Sequence, residues 1–408
     1  MADTMATDSG PVRALSMQEA VALAEAGDAQ AQYALSSTLH ARGLHEHSLH
    51  WLRLAAARLP EAQLTLATLL MDGRHCPRDL PAARALLGPL AAHSAAACLL
   101  LAELDGYAAL GGTDRASALR HLLAAAQRAD GSAWRQLGLL AASHRRWELA
   151  PALLAAAARC GDAIAQHVLQ APHGAWDPAA PMPLPDPALL VQALPDLAAD
   201  LPLPPAQELH ATPLVRRFAG VIPRPVAEAL VRMAEPLVQR SQVVDATSGQ
   251  SRVDSTRTSS HAVLGARHHD HVLEAIAACM GRVSGLPAAN GEYPQVMRYR
   301  TGEEFVPHVD YFNESGAGSR QSLADGGQRV QTVLLYLSDD YSGGATVFPE
   351  LGLEVRGRPG ELLHFHNVDA AGIGHRDSLH AGLPVTGGEK WLLSQWLRAG
   401  AYRPRVAW

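Results

Sequence analysis

The sequence predicts a multidomain chain in which an all-α solenoid of helical repeats is followed by a double-stranded β-helix, or jelly roll, with flanking helices. Three observations support this prediction: an apolar phrase that recurs through the first part of the chain, a proline-dense stretch after it, and eight short strand-like runs near the C-terminus. The length of 408 residues and the hydrophobic content of 48% are sufficient for two or three packed domains.

Changes in composition set the expected domain boundaries. Residues 1–15 are small and polar and are expected to be disordered. Residues 16–170 form the predicted α-helical repeat domain, residues 171–211 a proline-rich linker, and residues 212–408 the second folded domain.

The repeat prediction depends on an Ala- and Leu-rich phrase that returns every 31 to 36 residues or so, the length of a helix-turn-helix unit. The phrase begins at Ala31, Ala62, Ala97, Ala133 and Ala165. The pattern resembles tetratricopeptide-type repeats, in particular their Sel-one-like branch. Such solenoids expose concave surfaces, so a protein partner is expected for these repeats. An irregular Ala-rich helical bundle stays open as the alternative.

The linker prediction depends on ten prolines between residues 171 and 205, because proline at this density interrupts both helices and sheets. A short helix is nevertheless expected at Ala188–Leu197. Beyond the linker, an apolar stripe predicts a helix at Pro223–Arg240, and a second helix is expected at Ala266–Ser284.

Runs bounded by Gly, Pro or Asp predict eight strands with no helix between them, which is typical of a jelly roll. They are Pro294–Arg300, Glu304–Tyr311, Arg329–Leu337, Gly344–Phe348, Leu353–Arg356, Glu361–His366, Ser378–Gly382 and Lys390–Arg398. The segment Phe312–Gln328 is too polar and glycine-rich for a strand. Its position directly after one of these runs predicts a mobile lid.

A candidate metal site begins at His308 and Asp310, which are two residues apart and therefore point the same way in a strand. His380 could supply a third ligand from a strand distant in the sequence. Two imidazoles and one carboxylate form a facial triad, which suits ferrous iron and leaves coordination positions open. Lys390 could place its ammonium in the same cavity, where it would pair with the far end of a small dicarboxylate bound to the metal.

Seven motifs in this part of the chain, in one order over about a hundred residues, resemble the iron- and 2-oxoglutarate-dependent dioxygenases, specifically the prolyl 4-hydroxylase branch. They are Arg298-Tyr299, His308-x-Asp310, Thr332-x-Leu334-x-Tyr336-Leu337, Gly343-Gly344-x-Thr346-x-Phe348-Pro349, Pro359-Gly360, Ser378-x-His380-x-Gly382, and Lys390-Trp391 with Trp396. The resemblance covers roughly residues 213–400. It implies a jelly-roll fold, and residues 212–408 are accordingly predicted to be an Fe(II)/2-oxoglutarate dioxygenase domain.

The resemblance implies that His308, Asp310 and His380 bind Fe(II), with 2-oxoglutarate and O2 as cosubstrates and ascorbate as a further candidate cofactor. His364, His366 and His375 compete for the third ligand position. His380 is preferred because Ser-x-His-x-Gly precedes the lysine by the spacing of the family. No catalytic residue is expected beyond the metal centre.

Further contacts are predicted around the cosubstrate and the substrate. Tyr299 resembles the family tyrosine that bonds 2-oxoglutarate. Strand alternation places Trp396 on the face of Lys390 and Thr332 on the face of Leu334, and both are candidate cosubstrate contacts. A plain core role stays open for Tyr299 and Trp396. Arg257 falls where prolyl hydroxylases carry an arginine near the peptide groove, with an exposed surface role as the alternative. In place of the family's Gly-Gly-Glu-Thr, Ala345 occupies the acidic position, which leaves a polar contact near the substrate in doubt.

The expected function is therefore a dioxygenase that hydroxylates a peptidyl residue, with the repeats recruiting the substrate or a partner. Two alternatives stay open: hydroxylation of a free amino acid or small molecule, and a repeat scaffold with an inactive oxygenase domain. A net charge of only −6 argues against a nucleic-acid partner. Without a long apolar run or a signal-peptide pattern, a cytoplasmic protein with no membrane partner is expected.

Overall fold

The computed structural model describes residues 17–171, 176–177, 180–241, 243–244, 251–252, 257–265, 268–313 and 317–402. The predicted disordered stretch, residues 1–15, lies outside this description. The chain forms two compact units, Met1–Leu100 and Leu101–Trp408. No helix in the described ranges combines the length and the apolar character that a membrane crossing would need.

Helices follow one another through the N-terminal part of the chain, as the repeat pattern predicts. They are α1 (Met17–Glu25), α2 (Ala29–Ala41), α3 (His45–Ala56), α4 (Pro60–Asp72), α5 (Leu80–Leu87), α6 (Ala95–Gly106), α7 (Arg115–Ala126), α8 (Gly131–Ser143), α9 (Ala150–Arg159) and α10 (Ala163–Gln170). Each recurring phrase lies in an even-numbered helix, and its first alanine is buried. A buried alanine has no long side chain, so the neighbouring helix can approach closely. The prediction of an all-α repeat region is confirmed.

Aspartates define where several of these helices begin. The side chains of Asp28, Asp130 and Asp162 accept hydrogen bonds from backbone N–H groups in the first turns of α2, α8 and α10. Each bond satisfies a donor that the helix itself leaves unpaired, and the carboxylate lies at the positive end of the helix dipole. The turn before each phrase therefore specifies the start of a helix.

Within the unit Leu101–Trp408, helical repeats pack directly on the helices that flank the sheet. Helices α12 (Arg224–Ala234) and α13 (His271–Ser284) both contact α8. The side chain of Gln136 accepts a hydrogen bond from the backbone N–H of His271 at 3.1 Å. The Tyr107 hydroxyl donates to the carbonyl of His269 at 3.2 Å.

The segment predicted as a linker contains ordered elements. Helix α11 (Pro187–Ala198) confirms the short helix expected there, and β1 (Ala206–Ala211) pairs with β2 (Leu214–Phe218). Neither strand was anticipated from the sequence. In β1 the reason is that AQELHA alternates poorly and lies mostly exposed at the end of its sheet, with a bulge that shifts the register. The domain boundaries at residues 170 and 211 stay a prediction.

The remaining strands form a sandwich of two principal sheets. Their bounds are β3 (Gln239–Arg240), β4 (Val243–Val244), β5 (Ser251–Arg252), β6 (Ser260–Val263), β7 (Gln295–Arg300), β8 (Phe305–His308), β9 (Arg329–Tyr336), β10 (Tyr341–Gly343), β11 (Thr346–Phe348), β12 (Leu353–Val355), β13 (Leu362–His366), β14 (His380–Gly382) and β15 (Val385–Arg398). In the described residues the larger sheet has the order β1-β2-β13-β9-β15-β7-β6-β3, with β10 beside β15, and the smaller has the order β12-β11-β14-β8. One apolar cluster draws residues from both sheets. All eight predicted strands are present, and the jelly-roll prediction is confirmed.

Three predicted elements differ in extent or type. The helix predicted at Pro223–Arg240 ends at Ala234, because Pro236 follows and the chain turns into β3. The second flanking helix begins at His271, where the side chain of Asp270 caps its first turn. The segment Phe312–Gln328, predicted as a lid, contains the short helix α14 (Ala317–Leu323).

The ends of this lid segment are tied together. Gln328 accepts a hydrogen bond from the backbone N–H of Phe312 at 2.7 Å and donates one to its carbonyl at 2.9 Å. The guanidinium groups of Arg329 and Arg398 lie 4.8 and 4.7 Å from the centre of the Phe312 ring. Both arginines also bond Glu292. The two ends of the segment are therefore held next to each other.

Substitution of Gly360 by alanine is expected to destabilise the sandwich strongly. Gly360 has φ +84°, and a Cβ there would lie 1.8 Å from the carbonyl oxygen of Ile222. Gly352 is the matched control, because its φ is +61° but a Cβ would meet nothing within 4 Å. Gly352→Ala should cost only the backbone strain, roughly 1–2 kcal/mol. Chemical denaturation measures the free energy of unfolding of each variant. Equal decreases for Gly360→Ala and Gly352→Ala would contradict this expectation.

Candidate active site

Two histidines lie opposite each other on neighbouring strands of the smaller sheet. Strand β8 pairs with β14 in a register that sets His308 opposite His380. Strand β8 ends at His308, so Asp310 lies in the bend just beyond it and not within the strand as predicted. The side chains nevertheless converge, because the pairing of β8 and β14 determines where both imidazoles lie.

The three predicted metal ligands form one compact cluster. Their nearest ligating atoms lie within 4.8 Å of one another. The Nε2 atoms of His308 and His380 are 3.7 and 3.6 Å from the two carboxylate oxygens of Asp310. The Nδ1 atoms lie 2.9 and 3.0 Å from the carbonyl oxygens of Val306 and Ser378. Because Nδ1 carries the proton toward a carbonyl, each ring presents an unprotonated Nε2 to the centre of the cluster.

Aromatic side chains hold the two imidazoles in place. The Phe305 ring stacks on His308 with centroids 3.5 Å apart and an interplanar angle of 15°. Phe365 and Phe348 contact the ring of His380 at centroid distances of 4.7 and 5.6 Å. Burial, followed by the neighbouring His380, lowers the pKa of His308 to about 3. At neutral pH this imidazole therefore needs to release no proton before it can bind a metal.

Asp310 is positioned by a chain of hydrogen bonds. The hydroxyl of Thr332 donates to its Oδ2 at 2.6 Å, and the side-chain amide of Asn367 donates to that hydroxyl at 2.9 Å. Burial alone would raise the pKa of Asp310, but His380, His308, Arg329 and the hydroxyl of Thr332 together hold it below its ordinary value. The carboxylate is thus ionised at neutral pH, as a metal ligand must be.

Lys390 lies on the cavity wall with only 2% of its surface exposed. Its ammonium donates to the carbonyl of Gly344 at 2.6 Å, and no carboxylate among the described residues forms an ion pair with it. Burial lowers its pKa to about 7. Buried lysines are normally paired with a carboxylate, so an anion that entered the cavity would be stabilised by the Lys390 ammonium.

Two further polar groups line the cavity from the same strand as Lys390. The Ser394 hydroxyl and the Trp396 indole nitrogen are both buried, and neither makes a hydrogen bond in the described structure. Strand alternation places all three side chains on one face of β15. One cation and two polar groups without partners match the needs of an oxygen-rich acid such as 2-oxoglutarate. The donor set therefore fits both Fe(II) and this cosubstrate.

Tyr299 and Thr332 occupy different positions relative to the cavity. Tyr299 lines it, and its hydroxyl lies 3.7 Å from the sulfur of Met297. Thr332 directs its hydroxyl to Asp310 and not into the cavity. Thr332 thereby orients the carboxylate of Asp310, and its predicted contact with the cosubstrate stays a prediction.

Arg257 is buried, with 7% of its surface exposed, so the exposed alternative does not hold. Its guanidinium lies 5.0 Å from the centre of the Phe305 ring, and one nitrogen is 3.0 Å from the sulfur of Met297. Both of these neighbours line the cavity. The described residues offer Arg257 no ion pair, and burial lowers its pKa.

The competing histidines lie outside the cluster. In the described chain, the only groups with metal-ligand spacing are the cluster at His308 and a separate one in the N-terminal unit. The Nδ1 of His364 accepts from Arg216 at 3.3 Å, and its Nε2 lies 2.7 Å from the side-chain oxygen of Gln331. Both of its nitrogens are therefore already engaged.

Sequence reasoning missed several residues of the site. Phe305, Met297, Ser394 and Asn367 were not singled out, although Met297 could have been found because it shares a strand face with Tyr299. No local pattern marks Asn367, since its contact with Thr332 joins two strands distant in the sequence.

Comparison with known proteins agrees with this geometry. Residues 294–398 match the family model of the 2OG-Fe(II) oxygenase superfamily. Among curated proteins, probable prolyl 4-hydroxylase 7 of Arabidopsis thaliana is 31% identical over 48% of this chain and 66% of its own length. Prolyl 4-hydroxylase 2 of the same plant is 31% identical over 48% of this chain and 71% of its own length.

Solved structures with likeness to each part of the chain are more distant. A viral collagen prolyl hydroxylase from Paramecium bursaria Chlorella virus-1 covers 45% of this chain and 96% of its own, with 23% identity and a TM-score of 0.35. A Sel1 repeat protein from Oxalobacter formigenes covers 44% of this chain and 76% of its own, with 23% identity and a TM-score of 0.35. From its curated relatives, this chain belongs to the prolyl 4-hydroxylase family of 2-oxoglutarate- and Fe(II)-dependent oxygenases.

Proposed function

We propose that this protein is an Fe(II)- and 2-oxoglutarate-dependent dioxygenase that hydroxylates a peptidyl residue, as the prolyl 4-hydroxylases do. The observation that carries the proposal is the convergence of two Nε2 atoms and one carboxylate beside a buried lysine that lacks an anionic partner. A scaffold with a retired site would have no need to keep either feature. We propose a cytoplasmic location and ascorbate dependence as further properties, on family resemblance alone.

In the proposed mechanism, His308, Asp310 and His380 would hold Fe(II), and a set of three ligands would leave room for 2-oxoglutarate and O2. The bound metal and cosubstrate supply oxidative decarboxylation to succinate and hydroxylation of an unactivated C–H bond. Thr332 and Asn367 fix the orientation of Asp310, and the carbonyls of Val306 and Ser378 fix the two imidazoles. The ligand set thus enters each turnover already aligned.

The wall of β15 receives the far carboxylate of 2-oxoglutarate in this proposal. Lys390 would pair with the carboxylate, while Ser394 and Trp396 would gain the hydrogen-bond partners that they lack. Tyr299 lies beside this group, with the Lys390 ammonium 5.4 Å from its ring centre. Burial strengthens such a charge pair because little water screens it.

On the substrate side, Phe305 lines the cavity and the guanidinium of Arg257 lies over its ring, and we propose that these two residues contact the peptide. The lid segment Phe312–Gln328 would cover the bound substrate. The helical repeats would recruit the substrate or a partner protein, because repeat arrays expose extended surfaces for peptides.

Replacing a metal ligand should abolish turnover. His308→Ala and Asp310→Ala are each expected to stop succinate formation from 2-oxoglutarate in the presence of Fe(II) and a peptide. The matched control is His375→Ala, a half-buried histidine near His380 that lies outside the cluster. The measurement is the rate of succinate release by each variant. A wild-type rate in His308→Ala would contradict the ligand assignment.

Removal of the Lys390 charge should weaken the cosubstrate selectively. Lys390→Met is expected to raise the dissociation constant of 2-oxoglutarate about 10- to 150-fold, from the roughly 1.5–3 kcal/mol of a charge-assisted hydrogen bond. Metal affinity should not change, because the three ligands stay in place. Anaerobic titration with Fe(II), monitored by the metal-to-ligand charge-transfer band, measures both constants. An unchanged dissociation constant of 2-oxoglutarate in Lys390→Met would show that Lys390 does not bind the cosubstrate.

The same lysine predicts a pH dependence. In the free protein its pKa is about 7, and pairing with a carboxylate must raise that value. Binding therefore takes up a proton above pH 7, and the dissociation constant of 2-oxoglutarate should rise roughly tenfold per pH unit there. Lys390→Met should show no such slope. Equal pH profiles for the two proteins between pH 7 and 9 would contradict the prediction.

Loss of the Thr332 hydroxyl should weaken metal binding without removing a ligand. Thr332→Val keeps the shape of the side chain but leaves Asp310 without its donor and Asn367 without its acceptor. Metal affinity should fall about 10- to 100-fold, the usual effect of a group that orients a ligand. Thr332→Ser restores the hydroxyl and should recover most of the affinity in the same titration. A valine variant that binds metal like wild type would contradict the positioning role.

A further inference from the structure

Three histidines outside the oxygenase site converge on the surface of the unit Met1–Leu100. His40 lies in the last turn of α2, His45 is the first residue of α3, and His75 lies in the turn after α4. The ring centroids are 4.9 Å apart for His40 and His45, 5.4 Å for His40 and His75, and 3.6 Å for His45 and His75. One nitrogen from each ring lies within 4.8 Å of the others.

The backbone conformation around Gly73 and His75 brings the three rings together. His75 has φ +66°, a left-handed backbone conformation that is uncommon for a residue with a side chain. Gly73, two residues earlier, ends α4 at φ +69°. These two residues reverse the chain so that the His75 ring stacks on His45 with an interplanar angle of 19°.

One nitrogen of the group lacks a partner. The Nδ1 of His45 is shielded from solvent and makes no hydrogen bond within the described structure. A shielded imidazole nitrogen normally has a partner, because leaving it unsatisfied costs about 1–3 kcal/mol.

We propose that His40, His45 and His75 form a second metal site, which binds a borderline divalent ion of the Zn²⁺, Ni²⁺ or Cu²⁺ class. Imidazole is a good ligand for these ions, and the cluster contains no carboxylate, which Mg²⁺ and Ca²⁺ prefer. Three nitrogen ligands leave the fourth position of a tetrahedral ion open to water or to an external group. The bound ion links the α2–α3 turn to the turn that follows α4.

This site differs chemically from the cluster at His308, Asp310 and His380. The oxygenase site is largely buried and includes a carboxylate, whereas His40 and His75 are exposed and all three candidate ligands are imidazoles. The two sites can therefore be removed one at a time by substitution, and their metal contents can be counted separately.

The test counts Zn²⁺ bound to the metal-free full-length chain by equilibrium dialysis with metal analysis. If the oxygenase site also takes Zn²⁺, wild type should bind two equivalents, His75→Ala one, His308→Ala one, and the double variant none. His47→Ala is the matched control, because His47 is an exposed histidine on α3 outside the cluster, and it should bind two. His40→Ala should repeat the result of His75→Ala, because it also removes one of the three nitrogen ligands.

Each outcome of this count decides the proposal. If His75→Ala and His40→Ala bind as much Zn²⁺ as wild type, the three imidazoles are only stacked rings and the proposal is overturned. If wild type binds one equivalent that persists in His308→Ala and disappears in His75→Ala, the second site stands and only the oxygenase site has failed. Co²⁺ in the His308→Ala protein gives an independent check, since a four-coordinate ion should show a strong visible band that His75→Ala abolishes.

Discussion

The pairing of two short strands is the constraint on which the oxygenase site depends. Strands β8 and β14 are distant in the sequence, yet their register sets His308 opposite His380. Because side chains alternate along a strand, a shift of one residue would turn one of the imidazoles to the other face of the sheet. The aromatic rings of Phe305 and Phe365, which contact the two imidazoles, add packing that favours the observed register. The geometry of the metal cluster is therefore a property of the sheet as a whole.

The cavity next to this cluster contains a buried cation and polar groups without partners. Lys390 is buried without a carboxylate in the described structure, and two polar groups on the same strand face lack hydrogen bonds. These features reduce the stability of the free protein, since buried groups without partners cost free energy. The cost is recovered when an anion of the right length enters the cavity and supplies the missing partners.

The fold could be predicted from the sequence because its helices and strands follow local patterns, whereas the approach of His308, Asp310 and His380 to one another depends on the pairing of distant strands. Runs bounded by Gly, Pro or Asp located the eight strands, and the motifs around His308, Asp310, His380 and Lys390 identified groups that the structure brings together. Strand β1 was missed because it is polar and lies at a sheet end.

The contact of Thr332 with Asp310 and the burial of Arg257 could not be predicted either. Both depend on which strands become neighbours in the sheet, and no local spacing encodes that arrangement. The histidine cluster of the N-terminal unit was invisible for the same reason, because His75 approaches His40 and His45 only through the turn after α4.

The tied ends of the segment Phe312–Gln328 have a consequence for the evolution of substrate choice. Because Gln328 bonds both the backbone N–H and the carbonyl of Phe312, the two ends of the segment are held together by their own contacts. Doubling the length of such a loop costs only about 0.6 kcal/mol. Insertions, deletions and exchanges of side chains can therefore accumulate between these ends while His308, Asp310 and His380 keep their positions. Under the proposed function, the peptide preference could change in this way around an unchanged centre.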